Sequence, residues 1–204
     1  MAKLNSNITI LTLMTLTVFS LLACAGTQTS VQSISKSANP ADAVNEFDGE
    51  IATARKNQLN VLSPDWFSEA ETSLTSAKKA LNKGDEISEI MENVTEGRAQ
   101  LKTAEEMAQV ARTTLPEVIK SREMARAAGA TSYEQDYAAT ENRFLELTKA
   151  VEKDKITRAR KHSPKVAERY RELELRAIKE QTLGEARVLI KQAETEGARK
   201  LAPK

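Results

Sequence analysis

One cysteine and one histidine in 204 residues leave no material for a disulfide framework, a Cys-rich metal centre or a pair of histidine ligands. Aromatic side chains make up only 4% of the chain, with seven glycines and five prolines. Such scarcity beside abundant Ala, Glu, Lys, Leu and Arg predicts long helices. An excess of one charge is missing as well: 30 basic against 29 acidic side chains give a net charge of +1, which argues against a general nucleic-acid binder. No nucleophile elbow, phosphate loop, zinc-type His pair or glycine-rich nucleotide fingerprint is present. The lone His162 sits among Arg and Lys without a carboxylate to orient it. The neighbouring acids Glu69/Glu71, Glu105/Glu106 and Glu172/Glu174 are spaced one or two apart, so no pair shares a helix face. The expectation is a non-enzyme with no cofactor and no metal.

What is there begins with an address. Lys3 precedes a charge-free stretch, Ile8 to Ala23, of sixteen residues. A spanning helix needs roughly 20 apolar residues, so this one reads as a signal peptide rather than a permanent anchor. It ends in Leu21-Leu22-Ala23-Cys24, which resembles the lipobox of bacterial lipoproteins. The resemblance implies cleavage between Ala23 and Cys24 and lipidation of the Cys24 thiol. Two or three acyl chains, at about 0.8 kcal/mol per buried CH₂, hold a protein stably on a membrane where one chain does not. Ala25 rather than Asp after the cysteine implies, by the same resemblance, retention at the outer membrane facing the periplasm. Residues 1–23 contain one charge, Lys3, so their removal leaves 29 basic and 29 acidic side chains. Residues 24–38, rich in Ser, Thr and Gln, are expected to form a flexible tether.

Residues 39–204 are expected to be helical throughout. Asn39-Pro40 is an N-cap followed by proline at the first helical position, and Ala41, Val44, Phe47, Ile51 and Ala54 share the next face. Ser63-Pro64-Asp65 opens a second helix whose stripe runs Phe67, Ala70, Leu74, Ala77, Leu81 and stops at Gly84. A third, capped by Asp85, carries Ile87, Ile90, Val94, Leu101, Ala104, Ala108, Ala111, Leu115 and Val118. It reaches towards Gly129 over about 43 residues, roughly 64 Å, with a kink or restart at Pro116, where Thr114 and Glu117 form a capping box. Thr131 and Glu134 form another box ahead of Tyr137, Glu141, Phe144 and Val151. A last helix, Lys155 to Glu196, carries Ile156, Ala159, Val166, Tyr170, Leu173, Ala177, Ala186, Leu189 and Ala193, with Pro164 near its start. Trp66, Phe67, Tyr133, Tyr137 and Tyr170 read as packing anchors between hairpins.

The pattern repeats. Ser121-Arg122 through Gly129 to Tyr133 matches Ala186-Arg187 through Gly197 to Leu201, at an offset of 65 over the arginines and 68 from the glycine on, and a weaker copy runs from Ala54-Arg55 to Pro64. A helix of about 20 residues followed by one of about 43, joined by short linkers, predicts an all-α, elongated stack of antiparallel hairpins with long coiled-coil-like helices. The stop at Leu201-Ala202-Pro203-Lys204 falls where a further short helix should start, so a third repeat is expected to be cut short.

The segments LSPDWFSEAETSLTSAKKAL, LPEVIKSREMARAAGATSY, ERYRELELRAIKEQTLGEAR and AETEGARKLAPK together resemble the helical domain of unknown function behind the lipobox in proteobacterial outer-membrane lipoproteins of the OmpA family. In that family such helices commonly precede a peptidoglycan-binding domain. The chain has no counterpart of that domain's ligand residues, so the resemblance assigns peptidoglycan binding to no residue here. It implies an envelope spacer or scaffold, anchored to the membrane through Cys24, with peptidoglycan or envelope proteins as partners. A helical-hairpin adaptor for a periplasmic protein or peptide is the alternative. The oligomeric state stays open, because the apolar stripes fit paired chains as well as single ones.

One surface invites a partner by charge. Lys149, Lys153, Lys155, Arg158, Arg160, Lys161, Lys165, Arg169 and Arg171 face only Glu152, Asp154 and Glu168 in the same stretch. Arg158, Arg160, Lys161, Lys165 and Arg169 are the candidates for contact with an anionic partner. The acidic segment 85–106 is the opposite, and hairpins stacked in register would set the two face to face as exposed ion pairs, each of small worth.

Overall fold

The computed structural model describes residues 39–197, and they form an all-α fold. Helix α1 is Pro40–Lys56, α2 the single turn Leu59–Leu62, α3 Pro64–Lys83 and α4 Ile87–Thr114. Then come α5 (Pro116–Ala127), a 3₁₀ turn (Ala130–Ser132), α6 (Glu134–Glu152) and α7 (Ile156–Thr195). The signal segment 1–23, Ala23, Cys24, the tether up to residue 38 and the end of the third repeat at Leu201 lie outside the described residues.

The helices start and stop largely where local chemistry dictates. The Asn39 side chain accepts the Ala41 N–H at 3.0 Å, and prolines open α1, α3 and α5, where a missing N–H costs nothing. Gly84 ends α3 in the left-handed region at φ 74°. Three expected caps are not used. Glu86, not Asp85, sits at the start of α4 without a side-chain bond to its backbone. Leu115, not Thr114, sits at the start of α5, because Thr114 is spent as the last residue of α4. Residues 130–132 wind into the 3₁₀ turn, so Tyr133 rather than Thr131 leads into α6. At Pro116 the long helix therefore restarts instead of bending. Pro164, by contrast, sits inside α7 without ending it. Its absent N–H would leave the Arg160 carbonyl without a donor, and the Ser163 hydroxyl donates to that carbonyl at 3.3 Å.

Two helical layers share one continuous apolar core. In the first, α3 and α4 form the most extensive hairpin and α1 lies against both. Phe47, Phe67, Ala70, Ala77, Val94 and Ala104 fill it, each no more than 2% exposed. Gly97 is what lets α1 close on α4: a Cβ there would stand 2.5 Å from Cε1 and Cζ of the Phe47 ring and 3.0 Å from Cβ of Ser73. In the second layer α7 lies between α5 and α6, around Val118, Phe144, Val151 and Tyr170. Phe144 and Tyr170 meet edge to face at 6.4 Å between centroids.

The repeat survives as a recurring turn. α1, α5 and α7 each end two residues before a left-handed position, held by Gln58 (φ 64°), Gly129 (φ 83°) and Gly197 (φ 84°). The side chains just upstream do not repeat: Arg122 is buried, whereas Arg187, its partner in the sequence match, is exposed.

The apolar face expected along α7 is also corrected. Ala159, Val166, Ala167, Tyr170, Leu173 and Ala177 are buried, but every residue from Ile178 to Glu196 is exposed. Ala177 and Ala186 are nine residues apart, about two and a half turns, so the two cannot share a face. Ile87, at the start of α4, is likewise 61% exposed.

Candidate functional site: a basic cleft between α6 and α7

Long-range polar contacts set the position of α6. At its C-terminal end the Glu152 carboxylate accepts the Ser63 hydroxyl at 2.6 Å and the Asp65 and Trp66 backbone N–H groups at 3.2 and 3.1 Å. It thereby satisfies the free N–H groups at the start of α3 from 87 residues away, where Ser63 makes no cap of its own. Asp65 returns the contact, pairing with Lys149 Nζ at 2.8 Å and Lys153 Nζ at 3.1 Å. The hydrogen bond from Lys149 outweighs partial burial and holds the Asp65 carboxyl below the usual range.

Farther up α6, Glu141 accepts from Arg122 through two parallel bonds, Nε at 2.6 Å and a terminal nitrogen at 3.0 Å, and from the Tyr170 hydroxyl at 2.6 Å. The other terminal nitrogen of Arg122 donates to the Gln58 side chain at 2.5 Å. Burial raises the Glu141 carboxyl, but these bonds more than offset it and the group ends below its ordinary value. Tyr170 is pushed up by burial, and Tyr137 beside it is raised to about 12 for the same reason. Among the described residues the buried Tyr137 hydroxyl has no hydrogen-bond partner.

Between α6 and the first turns of α7 these anchors leave a cleft of about 430 Å³. Arg143, Lys149 and Lys153 stand on the α6 side, and Lys155, Arg158, His162 and Lys165 on the α7 side. Leu147, Ala150, Ala159 and Val166 floor it, and Glu146 is its one acid. Asp65 engages Lys149 and Lys153 from behind, while Arg143, Lys155, Arg158 and Lys165 have no carboxylate within ion-pair distance among the described residues.

Of the five cations singled out in the sequence, Arg158 and Lys165 line this cleft. Arg160 and Lys161 are exposed outside it, and Arg169 is half-buried one turn farther along α7. Arg143 joins the cleft from the preceding helix; its only sequence signal is its phase with Leu147 and Ala150, one and two turns on. The facing of segment 85–106 against 149–171 does not occur. Arg98 instead forks onto Glu50 of α1, at 2.9 to 3.1 Å, and Arg171 pairs with Glu117 and Glu168. A second groove, about 690 Å³ between α1 and α4, is lined by this Arg98–Glu50 fork and is matched in charge from within.

The exposed end of α7 is the other feature without cover. Leu175, Ile178, Leu189 and Ile190 are 45–64% exposed and recur with Thr182, Ala186 and Ala193 at helical spacing. Their stripe lies roughly opposite Ala177, on the side turned away from α5 and α6. Near the last buried turn of α7, Arg176 pairs with Asp136 at 3.0 Å and stacks over the Tyr133 ring at 4.0 Å.

Among the described residues no helix is long and apolar enough to cross a membrane, and no group of His, Cys, Asp and Glu is arranged to hold a metal. Neither a family model, nor a curated protein, nor a solved structure matches the chain.

Proposed function

We propose that the chain is an outer-membrane lipoprotein held by acyl chains on Cys24, and that its helices serve in the periplasm as a spacer and scaffold in the cell envelope. The observation that carries this reading is α7. Its 40 residues form one helix about 60 Å long, packed as far as Ala177 and solvent-exposed from Ile178 to Glu196. A helix fixed over half its length is a stiff arm, and an arm spans distance without catalytic groups. In the sharper version the arm links the outer membrane to peptidoglycan, which requires a C-terminal peptidoglycan-binding part of the kind the resembled lipoproteins carry. The exposed stripe from Leu175 to Ala193 favours the adaptor as second reading, since an uncovered apolar face on a helix suits a partner helix.

Fractionation of wild type and Cys24→Ser tests the anchor: wild type should sediment with outer membranes and the variant should not. Sedimentation of both forms alike would overturn it. Incubation with purified peptidoglycan sacculi tests the tether. Binding supports the wall-linked scaffold. A lack of binding, with anchoring intact, leaves the adaptor as the reading to pursue through cross-linking at Leu189.

A further inference from the structure

We infer that the α6–α7 cleft is a binding site for a ligand carrying two linked phosphates on a short carbon skeleton. Six cationic side chains, Arg143, Lys149, Lys153, Lys155, Arg158 and Lys165, surround one space of about 430 Å³. Among the described residues, Glu146 on its wall and Asp65 and Glu152 behind it are set against them, which leaves an excess of three positive charges. A single carboxylate would neutralise one of these, whereas paired phosphates answer several at once.

The cations stand on two walls, so two anionic groups a few ångströms apart can be held from opposite sides. Arg143 and Arg158 offer planar forks that match phosphate oxygens in pairs, and Lys155 and Lys165 act as mobile point charges. The floor is apolar, formed by Leu147, Ala150, Ala159 and Val166, and suits the carbon skeleton between the phosphates. Because water takes about 30 Å³ per molecule, the space is much larger than one hydrated ion needs. The walls are also held in place, since Glu152 and Asp65 tie α6 to α3 immediately behind the site.

Such a ligand could be a soluble diphosphate or a lipid headgroup of the cardiolipin kind, and two probes separate them. Inorganic pyrophosphate is titrated calorimetrically into the full chain. Vesicles containing cardiolipin are compared with pure phosphatidylcholine vesicles, using the full chain with Cys24→Ser so that acyl anchoring contributes nothing. Saturable binding of either probe is expected, weakened at least tenfold in Arg143→Ala/Arg158→Ala/Lys165→Ala. A control triple, Lys79→Ala/Lys83→Ala/Lys120→Ala, removes the same charge elsewhere and should change binding less than twofold. All six side chains are at least partly solvent-exposed, so both triples should keep the wild-type urea midpoint. Pyrophosphate binding without vesicle preference identifies a soluble ligand, and vesicle preference identifies the lipid. Absence of binding to both probes, or equal loss in the two triples, overturns the site. The outcome is independent of the anchor at Cys24, whose failure would leave this binding untouched.

Discussion

Removing the guanidinium of Arg122 should cost far more than deleting any exposed charge among the described residues. The Arg122 side chain is 8% exposed and that of Glu141 18%. With Arg122→Met, the Glu141 carboxylate keeps only the Tyr170 hydroxyl at 2.6 Å and loses both guanidinium bonds. The Gln58 side-chain oxygen loses its donor as well. An uncompensated buried charge of this kind costs about 3–5 kcal/mol, while a neutral, satisfied replacement is often nearly free. Arg122→Met/Glu141→Gln should therefore recover at least about half of the single-variant loss, since the amide oxygen still accepts from Tyr170. Urea unfolding at pH 7, with the slope unchanged between variants, measures both quantities. The pH dependence supplies a second readout. Glu141 titrates below its ordinary value of 4.5 in the folded protein, so its contribution is present in full above that value and is lost as pH falls through the depressed one. That part of the acid lability should vanish in the double variant. A cost of less than about 1 kcal/mol for Arg122→Met, or a double variant as unstable as the sum of the singles, would refute the reasoning.

Two glycines make opposite predictions for one substitution. Gly97→Ala drives a methyl into the buried Phe47 ring and should destabilise by about 1–2 kcal/mol, the clash outweighing better helix propensity. Gly49→Ala, with nothing within 4 Å of the added carbon, should stabilise by about 0.5–1 kcal/mol, and thermal melts of the two side by side check the signs. Glu152→Ala leaves the Ser63 hydroxyl and two N–H groups of α3 without their acceptor and should cost about 1–3 kcal/mol. Faster amide exchange at Asp65 and Trp66 should accompany it, and unchanged exchange there would show that water replaces the carboxylate without loss.

What the sequence disclosed was local. The stripe Phe67, Ala70, Leu74, Ala77 is readable because its spacing repeats within one helix, and all four are buried. Glu141 stood among apolar residues on its face, but the sequence alone did not mark it as half of a buried ion pair. Its partner Arg122 lies nineteen residues earlier on a different helix, where no periodicity points to it. Gln58 in a left-handed conformation was invisible for the same reason: glycine is the usual signal, and here a side chain is kept for Arg122 at the expense of backbone comfort. The basic run was legible as composition, but its division into cleft-lining and outward residues depends on helix phase and on Arg143 from the neighbouring helix. The last turns of α7 misled because apolar residues continue at regular spacing while the buried side of the helix does not.

The Glu152 carboxylate at the head of α3 bears on how the molecule can come apart. Tandem helical hairpins ordinarily melt piecemeal, since each unit depends only on the next one along. Here the first layer borrows an acceptor from the last residue of α6, so it is not self-sufficient. Unfolding should then be a single cooperative event across residues 40–177. A fragment ending before α6 would inherit an α3 that frays from its first turn.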